Sequence, residues 1–275
     1  MAAGANAESM KPFLKWAGNK YKIVERIKKL LPSGERLVEP FVGSGALFLN
    51  TDYPSYLLTD ANADLINLYR HLQTEGEAFI EYCRPFFVPE NNQKERFYEL
   101  RSEFNTTSNG RLKSAIFLYL NKHGYNGLCR YNAKGGFNVP FGLYKRPYFP
   151  EAEMRHFQQK AQIATFQQAN FASVMAACQP GDVVYCDPPY VPLSSTANFT
   201  SYSANGFGWA EQTELVCQAE QLARRGIPVI ISNHDTAAVR QAYGEAEIES
   251  FEVRRFISCN GRKRNKAAEL LALFS

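Results

Sequence analysis

Apolar residues recur along the chain with two periods, and together they predict an alternation of strands and helices. A spacing of three to four residues predicts helices, and short continuous apolar runs predict buried strands. The predicted helices cover residues 21–31, 64–71, 114–120 and 209–225. The predicted strands begin at residue 36 and cover 56–62, 182–186, 227–235, 251–257 and 267–274. Such an alternation favours an α/β fold built on an open sheet.

The pattern changes between about residues 70 and 160, where the sheet-forming segments are interrupted. After a predicted buried helix, residues 121–149 are rich in glycine, asparagine, aromatic and basic residues. Within them, Ala133-Lys134-Gly135-Gly136 predicts the turn of a β-hairpin. We therefore expect one α/β domain, formed by residues 11–69 and 161–275, with residues 70–160 inserted as a second, mainly helical domain. Residues 1–10 are expected to be disordered.

Composition favours a soluble protein. The chain has 275 residues, of which 45% are hydrophobic, enough to form a substantial core. No run approaches the roughly 20 apolar residues that cross a bilayer, and the first residues do not resemble a secretion signal. The 6 cysteines are scattered without metal-ligand spacing, so we expect reduced thiols and no metal site. A cytoplasmic location is the corresponding expectation.

Positive charge is concentrated in two segments although the net charge is only +4. Residues 121–148 contain five basic residues and no acid, and residues 253–266 contain six basic residues and no acid. The remainder of the chain must then carry −7. Such a distribution is typical of proteins that bind a polyanion such as nucleic acid. Two solvated basic loops are the simpler alternative.

The most informative short segment is Asp187-Pro188-Pro189-Tyr190, which directly follows the predicted strand 182–186. Two prolines restrict the backbone to a rigid, non-helical turn, so the Asp187 carboxylate and the Pro188 carbonyl form a compact acceptor site. An exocyclic amine of a nucleobase is a poor nucleophile, and two acceptors for its N–H groups would help it react, with Tyr190 stacked on the base. Alternatively, Asp187 only caps a turn.

A second group of residues predicts a site for a small nucleoside-like ligand. Gly43 and Gly45 form a turn between the first strand and a predicted helix start, and they allow close approach of a ligand to the backbone, without a full dinucleotide fingerprint. Asp60 ends the second strand, where a carboxylate can accept hydrogen bonds from ribose hydroxyls, or it caps the next helix. Lys20 at a helix start can bind an anionic group, and Trp16 can form an apolar wall. Both can equally be ordinary structural residues.

Four ordered segments resemble the Dam-type DNA adenine methyltransferases. They are Lys15-Trp16-Ala17-Gly18-Asn19-Lys20, Glu39-Pro40-Phe41-Val42-Gly43-Ser44-Gly45, Asp187-Pro188-Pro189-Tyr190 and Ser232-Asn233-His234-Asp235. The similarity also includes Tyr125 to Tyr131 and Asn138-Val139-Pro140-Phe141-Gly142, and it extends over residues 11–275. The order of glycine turn, inserted domain and acidic motif is that of the alpha group of this family.

The resemblance implies a Rossmann-like methyltransferase sheet, S-adenosylmethionine as donor, and methylation of adenine N6 in double-stranded GATC after base flipping. It assigns residues 70–160 to DNA target recognition. The implied catalytic residues are Asp187, Pro188 and Tyr190. The implied cofactor-binding residues are Trp16, Lys20, Pro40, Phe41, Gly43, Gly45, Asp60 and Asp187. The implied DNA-binding residues are Lys15, Tyr125, Asn126, Leu128, Arg130, Asn132, Asn138, Pro140, Tyr144, Lys145, Arg262 and Lys263.

Several alternatives stay open at this point. The acceptor motif recognises an amine, so the target could also be the cytosine amino group or an RNA base. A catalytically degenerate protein that only binds DNA as a regulator is the non-enzymatic alternative. We expect a monomer that binds double-stranded DNA and no membrane, encoded by a bacterium or a phage. The sequence does not distinguish a solitary methylase from the partner of a restriction nuclease.

Overall fold

A computed structural model describes residues 9–190, 207–254 and 266–275 of the chain. Its residues group into two compact units. The first unit comprises Met1–Glu25, Val42–Asp52 and Asn62–Gln168, and the second comprises Arg26–Phe41, Tyr53–Ala61 and Ala169–Ser275. The functional boundaries expected from the sequence, which place 70–160 apart from 11–69 and 161–275, stay a prediction.

A seven-stranded sheet has the order β3-β2-β1-β4-β5-β7-β6. The strands are β1 (Arg36–Glu39), β2 (Ser55–Asp60), β3 (Ala164–Gln168), β4 (Asp182–Cys186), β5 (Val229–His234), β6 (Glu247–Arg254) and β7 (Lys266–Phe274). β1 is parallel to β2 and β4, and β4 is parallel to β5, whereas β7 is antiparallel to β5 and β6. The strand order reverses beside β1, so this Rossmann-like sheet has its ligand-binding edge at the carboxyl ends of β1 and β4. The predicted α/β class with an open, Rossmann-like sheet is confirmed, and the inserted recognition domain stays a prediction.

Continuous apolar sequence explains why β4 lies inside the sheet. All five of its residues are buried, as expected for a parallel strand covered on both faces. In the core of the second unit, Val184 of β4 packs with Val38 of β1, Ile231 of β5 and Leu270 of β7. An ion pair joins the start of two strands, because Arg36 donates to both carboxylate oxygens of Asp182 at 2.8 Å. Asp187 therefore directly follows a rigid, buried strand of the sheet.

The helices are α1 (Val24–Leu30), α2 (Ala63–Glu75), α3 (Glu77–Cys83), α4 (Lys94–Thr106), α5 (Gly110–His123), α6 (Glu151–Lys160), α7 (Phe171–Ala176), α8 (Trp209–Arg224) and α9 (Ala237–Ala242). Four of them occupy the segments where helices were predicted. The helix expected to begin after Gly45 is instead a single 3-10 turn, Phe48–Asn50. Phe48 and Leu49 are both buried there, so packing rather than helix length determines this segment.

In the first unit, aromatic side chains supply much of the core. Phe157 of α6 contacts Phe13, Phe48 and Phe166 with ring centroids between 5.1 and 5.6 Å apart. Helix α5 is buried along most of its length, which explains the apolar run 114–120. Offset and edge-to-face aromatic contacts of this kind add stability beyond area burial. Phe137 and Phe141, in the segment that carries most of the predicted DNA contacts, pack in the same way on Phe104 and Phe97 of α4.

The start of α2 answers one question left open by the sequence. The Asn62 side chain accepts hydrogen bonds from the backbone N–H groups of Asp64 and Leu65, at 3.0 and 3.1 Å. Asn62 is therefore the helix cap, as the residue type favours. Asp60 at the end of β2 does not fill that role.

Two further expectations concern a membrane span and the second basic segment. Among the described residues, the structure contains no helix long and apolar enough to cross a bilayer. The part of the second basic segment that contains Arg262 and Lys263 lies outside the described residues. Its expected use in DNA binding stays a prediction.

Candidate functional site

The second unit carries the predicted acceptor corner, which follows the last residue of β4. Pro188 is buried, whereas Asp187 and Tyr190 are half-buried. β4 lies between β1 and β5, and all three strands are parallel, so the corner lies at their common carboxyl edge. The structure thus places Asp187, Pro188 and Tyr190 where an open α/β sheet binds its ligand.

Tyr190 is held by contacts from two strands. Its hydroxyl donates a hydrogen bond to the Glu269 carboxylate on β7 at 3.3 Å. Its ring meets the His234 imidazole of β5 edge to face, with centroids 4.6 Å apart. Burial, together with the negative charges of Asp187 and Glu269, raises the pKa of Tyr190 well above its usual value. The phenol stays protonated, and its ring orientation is fixed.

Buried groups around the corner experience a negative potential. Burial raises the pKa of the Tyr185 hydroxyl, and the charges of Asp187 and Glu39 raise it further. Tyr185 shares a 2.6 Å hydrogen bond with the Ser232 hydroxyl. Glu39 at the end of β1 is itself buried. Carboxylates at the ends of adjacent strands favour the positive charge that develops on an amine when it is alkylated.

Behind the corner lies a buried polar network that the sequence did not lead us to expect. The Gln212 side-chain amide of α8 donates to the Pro189 carbonyl at 2.9 Å. The Asn233 side-chain amide of β5 donates to the Gln212 side-chain oxygen at 3.1 Å and to the Tyr243 hydroxyl at 2.9 Å. The network ties the corner to α8 and β5. Buried polar networks that are fully hydrogen bonded rigidify the backbone that they contact.

The other expected ligand-binding residues of the second unit are Pro40, Phe41 and Asp60. Pro40 and Phe41 directly follow β1, and Asp60 is the last residue of β2. The Phe41 ring stacks on Phe171 at 5.5 Å and meets Phe207 edge to face at 5.6 Å. This aromatic cluster gives the end of β1 an apolar wall, to which Phe171 and Phe207 contribute without having been predicted.

In the first unit, Trp16 lies against the glycine turn. Gly43 and Gly45 both have positive φ, 47° and 70°. A Cβ added to Gly43 would lie 2.8 Å from the Trp16 indole nitrogen, so the indole occupies the space that any side chain would need. The Tyr69 hydroxyl donates to the Gly43 carbonyl at 2.5 Å. Lys20 is buried, and its ammonium donates to the Gly18 carbonyl at 2.7 Å.

The predicted hairpin is present in the first unit. Tyr131 and Phe137 form an antiparallel bridge, and Asn138 donates its backbone N–H to the Arg130 carbonyl at 3.0 Å. Asn132, expected to bind DNA, accepts two turn N–H groups, from Lys134 and Gly136, each at 3.0 Å. The turn at 133–136 is therefore confirmed, and Asn132 has a structural role in holding it.

Residues Arg130 and Asn138 contact each other across this hairpin. The Arg130 guanidinium donates to the Asn138 side-chain oxygen at 2.8 Å and to the Asn138 carbonyl at 3.2 Å. Tyr125 is 52% exposed, and its backbone N–H donates to the Pro140 carbonyl at 2.9 Å. The same short segment thus carries the exposed phenol of Tyr125 and the guanidinium of Arg130, which is held by the Asn138 side-chain amide.

Lys15 is the predicted DNA contact with the strongest internal contacts. Its ammonium donates to the Lys122 carbonyl at 3.0 Å and lies 3.7 Å from the centre of the Tyr144 ring. Burial lowers the pKa of Lys15. Burial, with repulsion from Lys15, also lowers the pKa of Lys122 to about 8. One of the five basic residues of 121–148 is therefore inside the unit and does not add to the surface charge.

The remaining expected DNA contacts in this unit differ in exposure. Asn126 and Lys145 are exposed, and Leu128 is half-buried. Asn126 adopts a positive φ of 53°, which asparagine tolerates better than most residues. Such backbone strain is often found where a residue is aimed at a ligand.

One group of carboxylates among the described residues has metal-ligand spacing. Glu77, Glu81 and Glu151 lie together at the ends of α3 and α6. Arg155 pairs with Glu77, and Arg84 pairs with both Glu81 and Glu151. Each carboxylate therefore already has an arginine partner, and the group is a surface ion-pair network.

Two of the site residues that were not predicted, Gln212 and Glu269, stand out in the sequence. Gln212 is a polar residue on the apolar face of the helix predicted at 209–225, and Glu269 is an acid within the apolar run 267–274. A buried polar residue requires a partner, and this alone could have marked both positions as unusual. Their partners, Pro189 and Tyr190, could not have been identified without the structure.

Comparison with known proteins gives a consistent result. Residues 16–257 match the description "D12 class N6 adenine-specific DNA methyltransferase". The chain is 54% identical over 269 residues to a DNA adenine methylase of Vibrio cholerae, covering 98% of this chain and 97% of the relative. It is 53% identical over 262 residues to the DNA adenine methylase of Escherichia coli K12, covering 95% and 94%.

Similarity to solved structures is weaker. A precorrin 8W decarboxylase of Methanobacterium thermoautotrophicum is 9% identical with a TM-score of 0.40, covering 97% of this chain and 95% of that one. The human methyltransferase 10 domain containing protein is 8% identical with a TM-score of 0.39, covering 96% and 82%.

Proposed function

The chain belongs to the D12 class N6 adenine-specific DNA methyltransferase family, and from this premise we propose that it methylates adenine N6 within GATC of double-stranded DNA. Family and fold imply S-adenosylmethionine as the methyl donor. The observation that carries the proposal is the position of Asp187-Pro188-Pro189-Tyr190 at the carboxyl end of β4, between β1 and β5. At that position the Asp187 carboxylate and the Pro188 carbonyl can accept hydrogen bonds from an amine.

The residues at the ends of β1 and β2 fit the chemistry of this donor. Asp60 offers a carboxylate to ribose hydroxyls, and Phe41 with its stacked neighbours offers an apolar wall to an adenine ring. Gly43 and Gly45 offer bare backbone, and Pro40 precedes them in the chain. We assign Trp16 and Lys20 of the first unit to the same ligand, the indole as a wall and the ammonium as a partner for a carboxylate. When bound, S-adenosylmethionine supplies a methyl group activated by a positively charged sulfur.

The acceptor corner prepares the amine. We assign to the Asp187 carboxylate and the Pro188 carbonyl one N–H each of the adenine amino group, which draws the nitrogen lone pair out of conjugation with the ring. Tyr190, whose orientation is fixed by Glu269 and His234, provides the surface on which the base stacks. As positive charge develops on the nitrogen, the Asp187 carboxylate stabilises it.

The first unit supplies most of the residues assigned to DNA. Extruding a base costs a few kcal/mol, and Tyr125 is an exposed aromatic ring that can fill the space in the stack. Arg130 has the fork geometry that reads a guanine edge, and its orientation is held by Asn138. We assign to the same surface Lys15, Asn126, Leu128, Asn132, Pro140, Tyr144 and Lys145.

The proposal is tested by measuring transfer of an isotopically labelled methyl group to three substrates of equal length. We expect rapid labelling of a GATC duplex, labelling of a GTAC duplex reduced by about 10³-fold or more, and no labelling of an RNA duplex of the corresponding GAUC sequence. Equal labelling of both duplexes would remove the GATC assignment. Preferential labelling of the RNA would overturn the assignment of the substrate.

The Gly43→Ala substitution tests the donor site. A methyl group at this position would overlap the Trp16 indole and strain a residue of positive φ. We expect the affinity for S-adenosylmethionine, measured by calorimetry, to fall about 10-fold or more, because backbone strain alone costs about 1–3 kcal/mol. The matched control is Gly135→Ala, which has a φ of 77° but nothing within 4 Å of the added methyl group. If both variants bound the donor as tightly as the native protein, Gly43 would not belong to its site.

A further inference from the structure

The structure connects the segment Ser232-Asn233-His234-Asp235 to the acceptor corner. This segment is one of the four that carry the family resemblance, and the sequence assigns it no role. We propose that Gln212, oriented by Asn233, is a positioning residue for methyl transfer that holds the Pro189 carbonyl and thereby the acceptor geometry of Asp187 to Tyr190. This inference rests on the proposed function of the corner. It assigns no contact with DNA or donor to Gln212 or Asn233.

The hydrogen-bond directions in this network are determined by its chemistry. The Pro189 carbonyl can only accept, so the Gln212 amide nitrogen must face it, at 2.9 Å, and the Gln212 oxygen must face Asn233. The Asn233 nitrogen donates to that oxygen at 3.1 Å, while the Asn233 oxygen accepts the His234 backbone N–H at 2.8 Å. Each amide thus has one orientation that satisfies its neighbours.

The network is buried, so its bonds are strong and its loss is costly. Gln212 is 3% exposed, Asn233 is 0% exposed, and Tyr243, whose hydroxyl accepts from Asn233, is 1% exposed. In a region of low dielectric, removal of the Gln212 side-chain amide takes one acceptor from the buried Asn233 nitrogen and the side-chain donor from the Pro189 carbonyl.

Two consecutive prolines make the corner dependent on such a bond. Neither Pro188 nor Pro189 has a backbone N–H to donate to a neighbouring strand. A side-chain donor to the Pro189 carbonyl restrains the planar peptide unit that joins Pro189 to Tyr190. Gln212 restrains the main chain of the corner, and Glu269 restrains the far end of the Tyr190 ring. Together these contacts can hold the acceptor oxygens in the alignment that transfer needs.

Two substitutions at Gln212 separate positioning from folding. Gln212→Met keeps the length and apolar volume but removes the donor, and misplacement by about 1 Å can reduce a catalytic rate by about 100-fold. We expect a 10-fold to 100-fold lower single-turnover rate on the GATC duplex. The dissociation constants for S-adenosylmethionine and for the duplex should remain those of the native protein.

Gln212→Glu adds a readout that a purely structural role would not produce. A protonated carboxyl group donates to the Pro189 carbonyl and accepts from Asn233, as glutamine does, whereas the carboxylate cannot donate. Burial raises the pKa of such a carboxyl group. We therefore expect the rate relative to the native protein to be near one at low pH and to fall with rising pH toward the Gln212→Met level. Gln221→Glu, on the exposed face of α8, is the matched control and should show no such change.

The outcomes are distinguishable. If the native protein did not methylate GATC, the proposed function would fail, whatever the variants did. If the native protein were active and the Gln212→Met rate were unchanged, the positioning role would be wrong. A Gln212→Glu rate that is low at every pH would also contradict it. The same holds if the Gln212→Met variant bound its ligands more weakly and melted at a lower temperature, to an extent that explains its lower rate. If Gln212→Met did not fold, the pH series of Gln212→Glu would decide alone.

Discussion

Replacing Asp187 with alanine is expected to reduce the rate of methyl transfer by about 10³-fold, while DNA binding is largely retained. The reason is that the substitution removes both an acceptor for the amine N–H and the negative charge nearest to the developing cation. Single groups with such a role typically contribute about 10²-fold to 10⁴-fold to a rate. The half-buried carboxylate lies at the end of a fully buried strand, so its loss should leave the sheet intact.

The measurement is a single-turnover rate at saturating donor and GATC duplex, with DNA affinity measured by fluorescence anisotropy. Asp52→Ala serves as the matched control, because the Asp52 side chain is 100% exposed and lies outside every residue assigned to the site. We expect the control to keep the native rate. If Asp187→Ala retained a rate within tenfold of the native protein, Asp187 would not be the group that activates the amine.

Replacing Arg130 with alanine is expected to relax the choice of sequence more than it weakens DNA binding. A bidentate arginine–guanine contact contributes about 1–3 kcal/mol of discrimination, which is roughly 10-fold to 100-fold in a ratio of rates. The guanidinium is held by the Asn138 side chain at 2.8 Å, so it is oriented before DNA binds. We therefore expect Asn138→Ala to reduce the same ratio by a smaller factor.

The quantity to measure is kcat/KM on a GATC duplex divided by that on duplexes with one guanine replaced. Lys134→Ala removes another exposed charge from the same hairpin turn, so it provides the control. It should weaken binding to every duplex and leave the ratio unchanged. Should Arg130→Ala instead weaken all duplexes equally and reduce the salt dependence, Arg130 would contact phosphate rather than a base.

Much of the architecture could be predicted because local sequence determines it. The apolar run 183–186 favours a buried strand, and the two prolines that follow Asp187 favour a rigid turn. Asn62 could be recognised as a helix cap from its residue type and the helix that follows. The hairpin turn at 133–136 followed from its glycines in the same way.

Other features depend on residues far apart in the chain, which local patterns do not describe. Tyr190 and Glu269, or Gln212 and Pro189, meet only because β4, β5, β7 and α8 pack together. The burial of Lys122, in a segment whose other basic residues are exposed, is likewise a consequence of tertiary packing. The 3-10 turn after Gly45 replaces a longer helix because Phe48 and Leu49 must enter the core.

The most direct test of the central claim is a map of methylated bases in the genome of a bacterial host that lacks adenine methylation and expresses this chain. We expect N6-methyladenine at GATC on both strands and no such modification in a host expressing the Asp187→Ala variant. Methylated adenines spread over other sequences, or methylated cytosines in place of adenines, would contradict the account.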